Sequence, residues 1–285
     1  MNPLYTSVEI VGGIGNQLFQ LAYIIYFLRL SKTQRIKRKL VFKGDNPYWD
    51  TIFKGLFRVI ATDEYDSIQF TKYHDASPSD ASPSYCEPPY KSKEHVLLKG
   101  RYQTFQYIDD SLRDKLVNIV YSNEDIMYSA YYKYRDILDY FGKNTKDDDM
   151  VSLHILRHPE SHTPLTEHSP LLMRYYKDAM RLANKKKIVV FSDDIAWCIN
   201  NFGDHLNSSD SGVGDATDYN IYYVKDVSNP EMEFVLMSMF QNNIIADSYF
   251  SLWASFISYY KKKIVIAPKH EHSDVIYHKY ITDIL

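Results

Sequence analysis

The amino-acid sequence predicts an α/β fold, in which short apolar strands alternate with helices, and three observations lead to this prediction. The chain has 285 residues, of which 45% are apolar and 15% aromatic, which is enough for one large domain or for two domains of ordinary size. A glycine-rich turn at 12–15 joins an apolar strand to a helix. From residue 150 to residue 268, apolar strand patterns are each followed by a helical pattern. Residues 277–285 are expected to form a final helix or tail.

The glycine-rich turn is the most informative stretch of the N-terminal half. Three of the four residues 12–15 are glycine, and apolar residues then recur at helical spacing from Leu18. Glycine lets the backbone take positive φ and approach a ligand, and the first N–H groups of a helix carry the positive end of its dipole. Asn16 and Gln17 add amides that both donate and accept hydrogen bonds. The turn therefore suits a phosphate or a sugar hydroxyl, although a βα turn that binds nothing fits the same residues.

The segment Gly12–Gln20 resembles the N-terminal signature of the α-1,2-fucosyltransferase family (glycosyltransferase family 11), G-G-[LI]-G-N-Q-[LM]-F-Q. The resemblance implies the GT-B fold, two Rossmann-like domains facing across a cleft. It also implies an inverting, metal-independent transfer from a nucleotide-sugar donor, GDP-fucose, to a glycan acceptor, with no cofactor. In this segment the implied donor contacts are Gly13, Gly15 and Gln17, and Asn16 is a candidate catalytic residue.

The polar stretch 142–149 contains no apolar residue and is the predicted linker between the domains. We expect 1–149 to form the N-terminal Rossmann-like domain, on the acceptor side, and 150–285 to form the donor-binding domain. The three aspartates at 147–149 are interpreted as a solvated charge run, because consecutive side chains of an extended segment point in opposite directions and do not converge on a metal.

Charge and cysteine content exclude several classes of protein. A net charge of −3 and a pI near 6.4 give no global attraction to nucleic acid or to an anionic membrane. Cys86 and Cys198 lie far apart in unlike contexts, which supports neither a disulfide framework nor a metal site. No signal peptide precedes the first strand, and the longest apolar stretches, such as 22–30, are too short to span a bilayer. We therefore expect a cytoplasmic enzyme of the bacterial or viral type.

The segment 150–160 is an apolar strand that becomes polar at its carboxyl end, the end that faces the ligand in doubly wound sheets. It resembles the family motif H-x-R-R-x-D. Aligned without a gap, Arg157 is the second arginine; with one inserted residue, Arg157 is the first, His158 the second basic residue and Glu160 the acid. We favour the insertion, because leucine at the first arginine would be useless against a phosphate. A surface Arg–Glu pair is the competing interpretation.

Arg157 is the predicted electrostatic catalyst. As the bond to the donor sugar breaks, negative charge grows on the departing diphosphate, and a fixed guanidinium lowers that barrier. His154 and His158 are expected to contact the same donor, and Glu160 is a candidate for the catalytic base.

Three further segments resemble the family. Residues 100–108 are similar to G-Y-[WF]-Q-[SN]-x-x-Y-F, where Gln103 and Tyr102 are candidate acceptor contacts, although Tyr102 also fits simple packing. Residues 187–198 are similar to F-[FV]-V-F-S-D-D-[IP]-x-W and end a strand with three candidate donor-binding residues, Ser192, Asp193 and Asp194, of which Asp193 or Asp194 is the candidate guanine contact. A carboxylate can accept hydrogen bonds from N1 and the 2-amino group of guanine. Capping of the next helix is the alternative role for Ser192 or Asp193.

Residues 243–256 are similar to N-x-I-I-A-N-S-[ST]-F-S-W-W-[GA]-A-[WY] and place a helix N-terminus after a strand. A helix start is suited to a diphosphate. The candidate donor contacts there are Ser248, Tyr249, Phe250 and Ser251. Asp247, Tyr249 and Leu252 depart from the family pattern, which bears on the identity of the donor sugar.

The sequence thus predicts a glycosyltransferase that moves fucose from GDP-fucose to a glycan hydroxyl, the 2-OH of galactose in most of the family. A transferase that uses another nucleotide sugar and a non-catalytic nucleotide-sugar or glycan-binding protein are the alternatives. An oxidoreductase is disfavoured, because Leu18 stands where a dinucleotide-binding turn has its third glycine.

Overall fold

The computed structural model describes residues 4–44, 49, 52–53, 55–75, 85–157, 170–202, 219–225, 229–269 and 281–285. The chain divides after Ile126 into two compact units. Each unit is built around an open sheet whose strand pairs are all parallel. The predicted α/β class is therefore confirmed. In the described residues, no helix is both long and apolar enough to cross a membrane.

The described residues of the N-terminal unit form six strands and three α-helices. The strands are β1 (Leu4–Val8), β2 (Arg38–Leu40), β3 (Phe42–Lys43), β4 (Val59–Ile60), β5 (Thr71–His74) and β6 (Val96–Lys99), and the helices are α1 (Ile14–Thr33), α2 (Thr62–Asp66) and α3 (Asp110–Val120). The main sheet has the order β2-β1-β6-β5, and β3 pairs separately with β4. Because β1 and β6 lie side by side, the chain segments that follow them meet at one edge of this sheet.

Helix α1 is the centre of the N-terminal unit. Thirteen of its 20 residues are buried, among them Leu18, Leu21 and Ile25, because the helix is apolar on nearly all faces. The helix begins at Ile14, so Gly15 lies in its first turn. Gly12 is the glycine of this turn with positive φ, +79°.

The C-terminal unit contains most of helix α4 (Glu124–Phe141) and a six-stranded sheet. Its other elements are β7 (Met150–Ile155), α5 (Pro170–Ala183), β8 (Lys187–Ser192), α6 (Ile195–Trp197), β9 (Asn220–Tyr223), α7 (Pro230–Ser238), β10 (Asn242–Ile244), α8 (Tyr249–Ile257), β11 (Val265–Ala267) and β12 (Asp283–Ile284). The sheet order is β12-β11-β10-β7-β8-β9. The first and fourth strands of the unit, β7 and β10, are thus neighbours, which is the doubly wound order of dinucleotide-binding folds. The topological switch point lies between them.

Buried polar groups join the two strands at this switch point. The hydroxyl of Ser152 on β7 donates to Oδ1 of Asn243 on β10 over 2.7 Å, and both residues are fully buried. The side-chain amide of Asn242 donates to the carbonyl of Met150 over 3.0 Å. Because buried amides and hydroxyls must be paired, these contacts hold β7 and β10 in one register.

The compact units divide 23 residues before the boundary predicted after Asp149. Helix α4 packs onto the C-terminal unit: the Tyr134 hydroxyl donates to Asp147 over 2.6 Å, and the Tyr140 hydroxyl donates to the carbonyl of Ile221 over 3.3 Å. The Asp147 carboxylate also accepts the Tyr260 hydroxyl, and Asp148 pairs with Lys185 at 3.0 Å. The polar stretch after α4 therefore carries specific contacts as well as charge.

The expectation of a final helix or tail is wrong for the last residues. Asp283 and Ile284 form β12, which pairs in parallel with Ile266 and Ala267 of β11. The backbone N–H of Leu285 donates to the carbonyl of Ala267 over 3.0 Å. A strand of two exposed residues has no apolar alternation by which it could be recognised in the sequence.

Candidate functional site

Polar segments follow β7, β8 and β10 at the carboxyl edge of the six-stranded sheet. In doubly wound sheets a ligand binds at this edge, beside the switch point. Arg157 follows β7, the Ser192–Asp194 segment ends β8, and Ser248 begins the turn into α8 after β10. The strand order thus brings together three segments that the sequence predicted to bind a donor.

The side chain of Arg157 lies at the carboxyl edge of the sheet and is largely buried there, with 9% of its surface exposed. Its guanidinium carbon is 3.9 Å from the centroid of the Trp197 ring, and its Nε is 3.9 Å from Oδ2 of Asp194. The backbone N–H of Arg157 donates to Oδ1 of Asp193 over 2.7 Å. Backbone and side chain of Arg157 are therefore both contacted by the turn that follows β8.

The turn after β8 is organised by its own side chains. The Ser192 hydroxyl accepts the N–H of Asp194 over 3.0 Å, and Oδ1 of Asp194 accepts the N–H of Trp197 over 3.0 Å. The cap of α6 is thus Asp194, where the sequence suggested Ser192 or Asp193. Asp193 is exposed, and its carboxylate accepts the backbone N–H of Arg157, two residues after the end of β7.

His154 is buried beneath the same edge, with 6% of its surface exposed. Its ring lies 5.5 Å from the ring of Phe250, centroid to centroid. Burial lowers the pKa of His154 to about 4, and the negative charge of Asp193 opposes that shift only in part. The imidazole is thus neutral at neutral pH, and its Nδ1 has no hydrogen-bond partner in the described residues. His154 can offer a diphosphate a hydrogen bond but no positive charge.

The start of α8 uses its hydroxyl groups internally. Oγ of Ser248 accepts the N–H of Phe250 over 3.2 Å as the helix cap. Ser251 is fully buried, and its Oγ accepts the N–H of Ala246 over 3.2 Å. Tyr249 and Phe250 remain partly exposed. The capacity of this segment to bind an anion therefore lies in the helix N-terminus itself, with its aligned peptide dipoles.

Glu233 on α7 is a functional candidate that the sequence analysis missed. Burial, reinforced by the negative charge of Asp193, raises the pKa of Glu233 to about 7. A carboxyl group that titrates near neutrality beside another carboxylate is typical of binding and catalytic sites. The signal in the sequence is an acid inside 232–240, a run that is otherwise apolar except for Ser238.

In the N-terminal unit, Gln17 and Gln20 brace the glycine turn. Nε2 of Gln17 donates to the carbonyl of Gly12 over 2.7 Å, and Oε1 of Gln20 accepts the N–H of Val11 over 3.0 Å. Both glutamines are buried, and so is Gly15. Gln17 and Gly15, two predicted donor contacts, are thus buried in the first turns of a core helix. Gly13 stays partly exposed.

Asn16 and Gln103 come together where β1 and β6 end. Nε2 of Gln103 donates to Oδ1 of Asn16 over 2.8 Å, and both side chains are partly exposed. The candidate acceptor contact Tyr102 is corrected: its ring is 2% exposed and stacks on Tyr23 with centroids 3.7 Å apart. Tyr102 therefore belongs to the core of the unit, the packing role that the sequence also allowed.

Two predicted site residues, His158 and Glu160, lie outside the described residues. Within the described parts of the chain, no group of three or more His, Cys, Asp or Glu side chains is placed to hold a metal ion.

The chain is similar in sequence to known glycosyltransferases over part of its length. The family model of Glycosyl transferase family 11 matches residues 163–282. The O-antigen biosynthesis glycosyltransferase WbnK of Escherichia coli is 30% identical over 188 residues, which cover 60% of this chain and 56% of that protein. An Alpha-1,2-colitosyltransferase of Escherichia coli is 32% identical over 124 residues, 41% of this chain and 39% of that protein. The matches thus span about half or less of these relatives.

Solved structures share the fold at low sequence identity. The structure of FUT1 of Arabidopsis thaliana with GDP has a TM-score of 0.52 at 12% identity, covering 90% of this chain and 69% of that one. POFUT1 has a TM-score of 0.53 at 11% identity, covering 94% and 98% of the two chains. A structure of POFUT1 with GDP has a TM-score of 0.51 at 11% identity, covering 99% and 97%. The chain is therefore similar to glycosyltransferase family 11 over residues 163–282, and it has the GT-B fold of these solved structures.

Proposed function

We propose that this chain is a glycosyltransferase that binds a GDP-sugar donor in its C-terminal unit. One observation carries the proposal: a buried guanidinium, Arg157, is held at the carboxyl edge of a doubly wound sheet, where such sheets bind nucleotides. The related structures of FUT1 and POFUT1 with GDP support the choice of nucleotide.

Arg157 stabilises the leaving group in this proposal. When the bond between donor sugar and diphosphate breaks, the sugar becomes oxocarbenium-like and the diphosphate gains negative charge. A fixed guanidinium close to that oxygen, together with the positive end of α8, lowers the barrier without a metal ion. The transfer is therefore proposed to be metal-independent, and to proceed unchanged when a chelator removes divalent cations.

We assign binding of the guanine base to the two acids of the site, Asp193 and Glu233. An ionised carboxylate accepts the N–H of N1 and of the 2-amino group, whereas a protonated carboxyl group can pair with N1–H and O6. Asp193 is the exposed acid of the turn, and Glu233 is the acid coupled to it. Since adenine and the pyrimidines do not present this edge, the pair favours GDP over ADP and UDP.

The acceptor is assigned to the N-terminal unit. The partly exposed amides of Asn16 and Gln103 form one hydrogen-bonded pair, and amides of this kind bind sugar hydroxyl groups by donating and accepting at once. The finer proposal is that fucose is the transferred sugar and that the 2-OH of a galactose receives it. Glu160 remains the predicted candidate for the base that removes the hydroxyl proton.

A second candidate function is the transfer of a different sugar from a GDP donor. A relative at 32% identity bears the name Alpha-1,2-colitosyltransferase, a transferase of another sugar. The departures from the fucosyltransferase pattern at Asp247, Tyr249 and Leu252 surround the start of α8, so they bear on the donor sugar rather than on the nucleotide.

Calorimetry and turnover together test the proposal. We expect GDP to bind more tightly than UDP or ADP, and Arg157→Ala to weaken GDP binding by about ten-fold or more, because a charge-assisted bond to phosphate is lost. Turnover is then measured with GDP-fucose and with other GDP and UDP sugars, with and without EDTA. Turnover with a different GDP sugar alone favours the second candidate. Binding of GDP without any turnover, unchanged in Arg157→Ala, indicates a binding protein and contradicts the proposal.

A further inference from the structure

We propose that Trp197 is a positioning residue that holds the Arg157 guanidinium in the orientation needed to contact the diphosphate, an inference that rests on the proposed function. The turn after β8 would then serve chiefly to orient the Arg157 side chain, and Asp193 would be the residue of that turn that contacts the guanine base.

The geometry of the turn gives Arg157 three separate contacts. The Asp193 carboxylate accepts its backbone N–H over 2.7 Å, which fixes the point where the side chain starts. Oδ2 of the Asp194 carboxylate lies 3.9 Å from Nε of the guanidinium. The Trp197 ring covers a face of the guanidinium at 3.9 Å. Two acids and an aromatic ring thus constrain a single arginine.

Trp197 is itself fixed by the same turn. Its backbone N–H donates to Oδ1 of Asp194 over 3.0 Å. The acid that lies near the guanidinium is therefore also the N-cap of the short helix that carries the ring. Cys198, the next residue, is fully buried in the core of the unit, whereas Trp197 is only partly buried. The ring therefore lies at the boundary between the core and the site, where it contacts Arg157 while remaining anchored.

An arginine side chain needs such support. It carries large rotamer freedom, and a guanidinium binds phosphate well only when its planar fork is already aligned. A ring stacked on one face fixes that plane and leaves the N–H edges directed outward, and the attraction between the cation and the ring is strongest for tryptophan. The loss of the ring is expected to leave the positive charge in place but to misalign it.

A double-mutant cycle separates this role from a merely structural one. Trp197→Leu keeps an apolar side chain and removes the ring, Trp197→Phe keeps a ring, and each is combined with Arg157→Ala. Ile199→Ala, a change at an exposed neighbour in the same turn, is the matched control. Binding of GDP and of guanosine is measured by calorimetry, and unfolding of the same proteins by denaturant titration.

We expect Trp197→Leu to weaken GDP binding about ten-fold and to leave guanosine binding unchanged, since only the diphosphate contact is affected. Trp197→Phe should recover most of the loss, and Trp197→Leu should add nothing in the Arg157→Ala background. An equal loss for GDP and guanosine, or an equal loss with and without Arg157, overturns the inference. If the wild-type protein binds neither ligand, the proposed function fails. The double-mutant cycle measured by denaturant unfolding then decides the inference, which is overturned if the effects of the substitutions at residues 157 and 197 on the free energy of unfolding are simply additive.

Discussion

The Glu233→Gln substitution tests the electrostatics of the site directly. Burial and the charge of Asp193 raise the pKa of Glu233 from 4.5 to about 7. One pKa unit corresponds to about 1.4 kcal/mol, so the ionised carboxylate lowers the free energy of unfolding by up to about 3 kcal/mol. Glutamine has nearly the same shape and no charge to bury, so we expect it to remove this cost.

The effect has a defined sign and pH window. Between pH 4.5 and about 7 the folded protein keeps a proton on Glu233 that the unfolded chain has released. Stability therefore falls as the pH rises through this window, and the loss is complete above about pH 7. Glu233→Gln should accordingly match the wild-type protein near pH 4.5 and exceed its free energy of unfolding by up to about 3 kcal/mol at pH 8.

Denaturant unfolding at intervals between pH 4.5 and pH 8 measures this difference, provided that the dependence on denaturant is the same for both proteins. Glu94→Gln, which changes an exposed carboxylate, is the control and should alter stability little at any pH. GDP affinity is measured alongside, and we expect it to fall in Glu233→Gln as stability rises, because site residues are held at a cost to folding. A variant no more stable than the wild-type protein at pH 8 would refute the reasoning.

Three further substitutions test other parts of the structure. His154→Gln should raise the free energy of unfolding below pH 6.5, by up to about 3 kcal/mol at pH 4, and leave it unchanged near pH 7. The reason is that, in this pH range, an unfolded histidine binds a proton that the buried His154 of the folded state does not accept. Denaturant unfolding at pH 4.5 and pH 7 checks this. Gly12→Ala should lower the free energy of unfolding by about 1–2 kcal/mol, since φ at Gly12 is +79° and the new Cβ would lie 2.8 Å from Nδ2 of Asn16. An unchanged midpoint of denaturant unfolding contradicts this prediction. Gln103→Ala should raise the acceptor KM about five-fold with GDP affinity unchanged, as measured by steady-state kinetics and calorimetry.

The regular elements of the fold could be predicted because their patterns are local. The strands β7 and β8 are continuous apolar runs, and α3, α4 and α5 carry apolar residues at helical spacing, so each is recognised from its own sequence. The strand order of the sheets depends on contacts between distant segments. The bond between Ser152 and Asn243, for example, joins residues 91 apart in the chain.

The location of the candidate site could be predicted from the sequence, but the role of each side chain in it could not. The segments around Arg157, Asp193 and Ser248 were expected at the ends of strands, and the structure brings them to one edge. Tyr102 could not be recognised as a core residue, because its burial depends on stacking with Tyr23, far away in the sequence. Glu233 was overlooked because its altered pKa arises from burial and from a neighbour 40 positions away.

Asp193 is the residue that links the groups of the site. Its charge adds to the rise in the pKa of Glu233 and partly offsets the lowering of the pKa of His154 by burial, while its Oδ1 accepts the backbone N–H of Arg157. Asp193→Asn preserves an oxygen that can accept this bond but removes the charge. We therefore expect the pKa of Glu233 to fall, so that Glu233→Gln gains less stability at pH 8 in the Asp193→Asn background than in the wild-type background. An equal gain in both backgrounds, measured by denaturant unfolding, would mean that the two acids do not interact and that burial alone sets the pKa of Glu233.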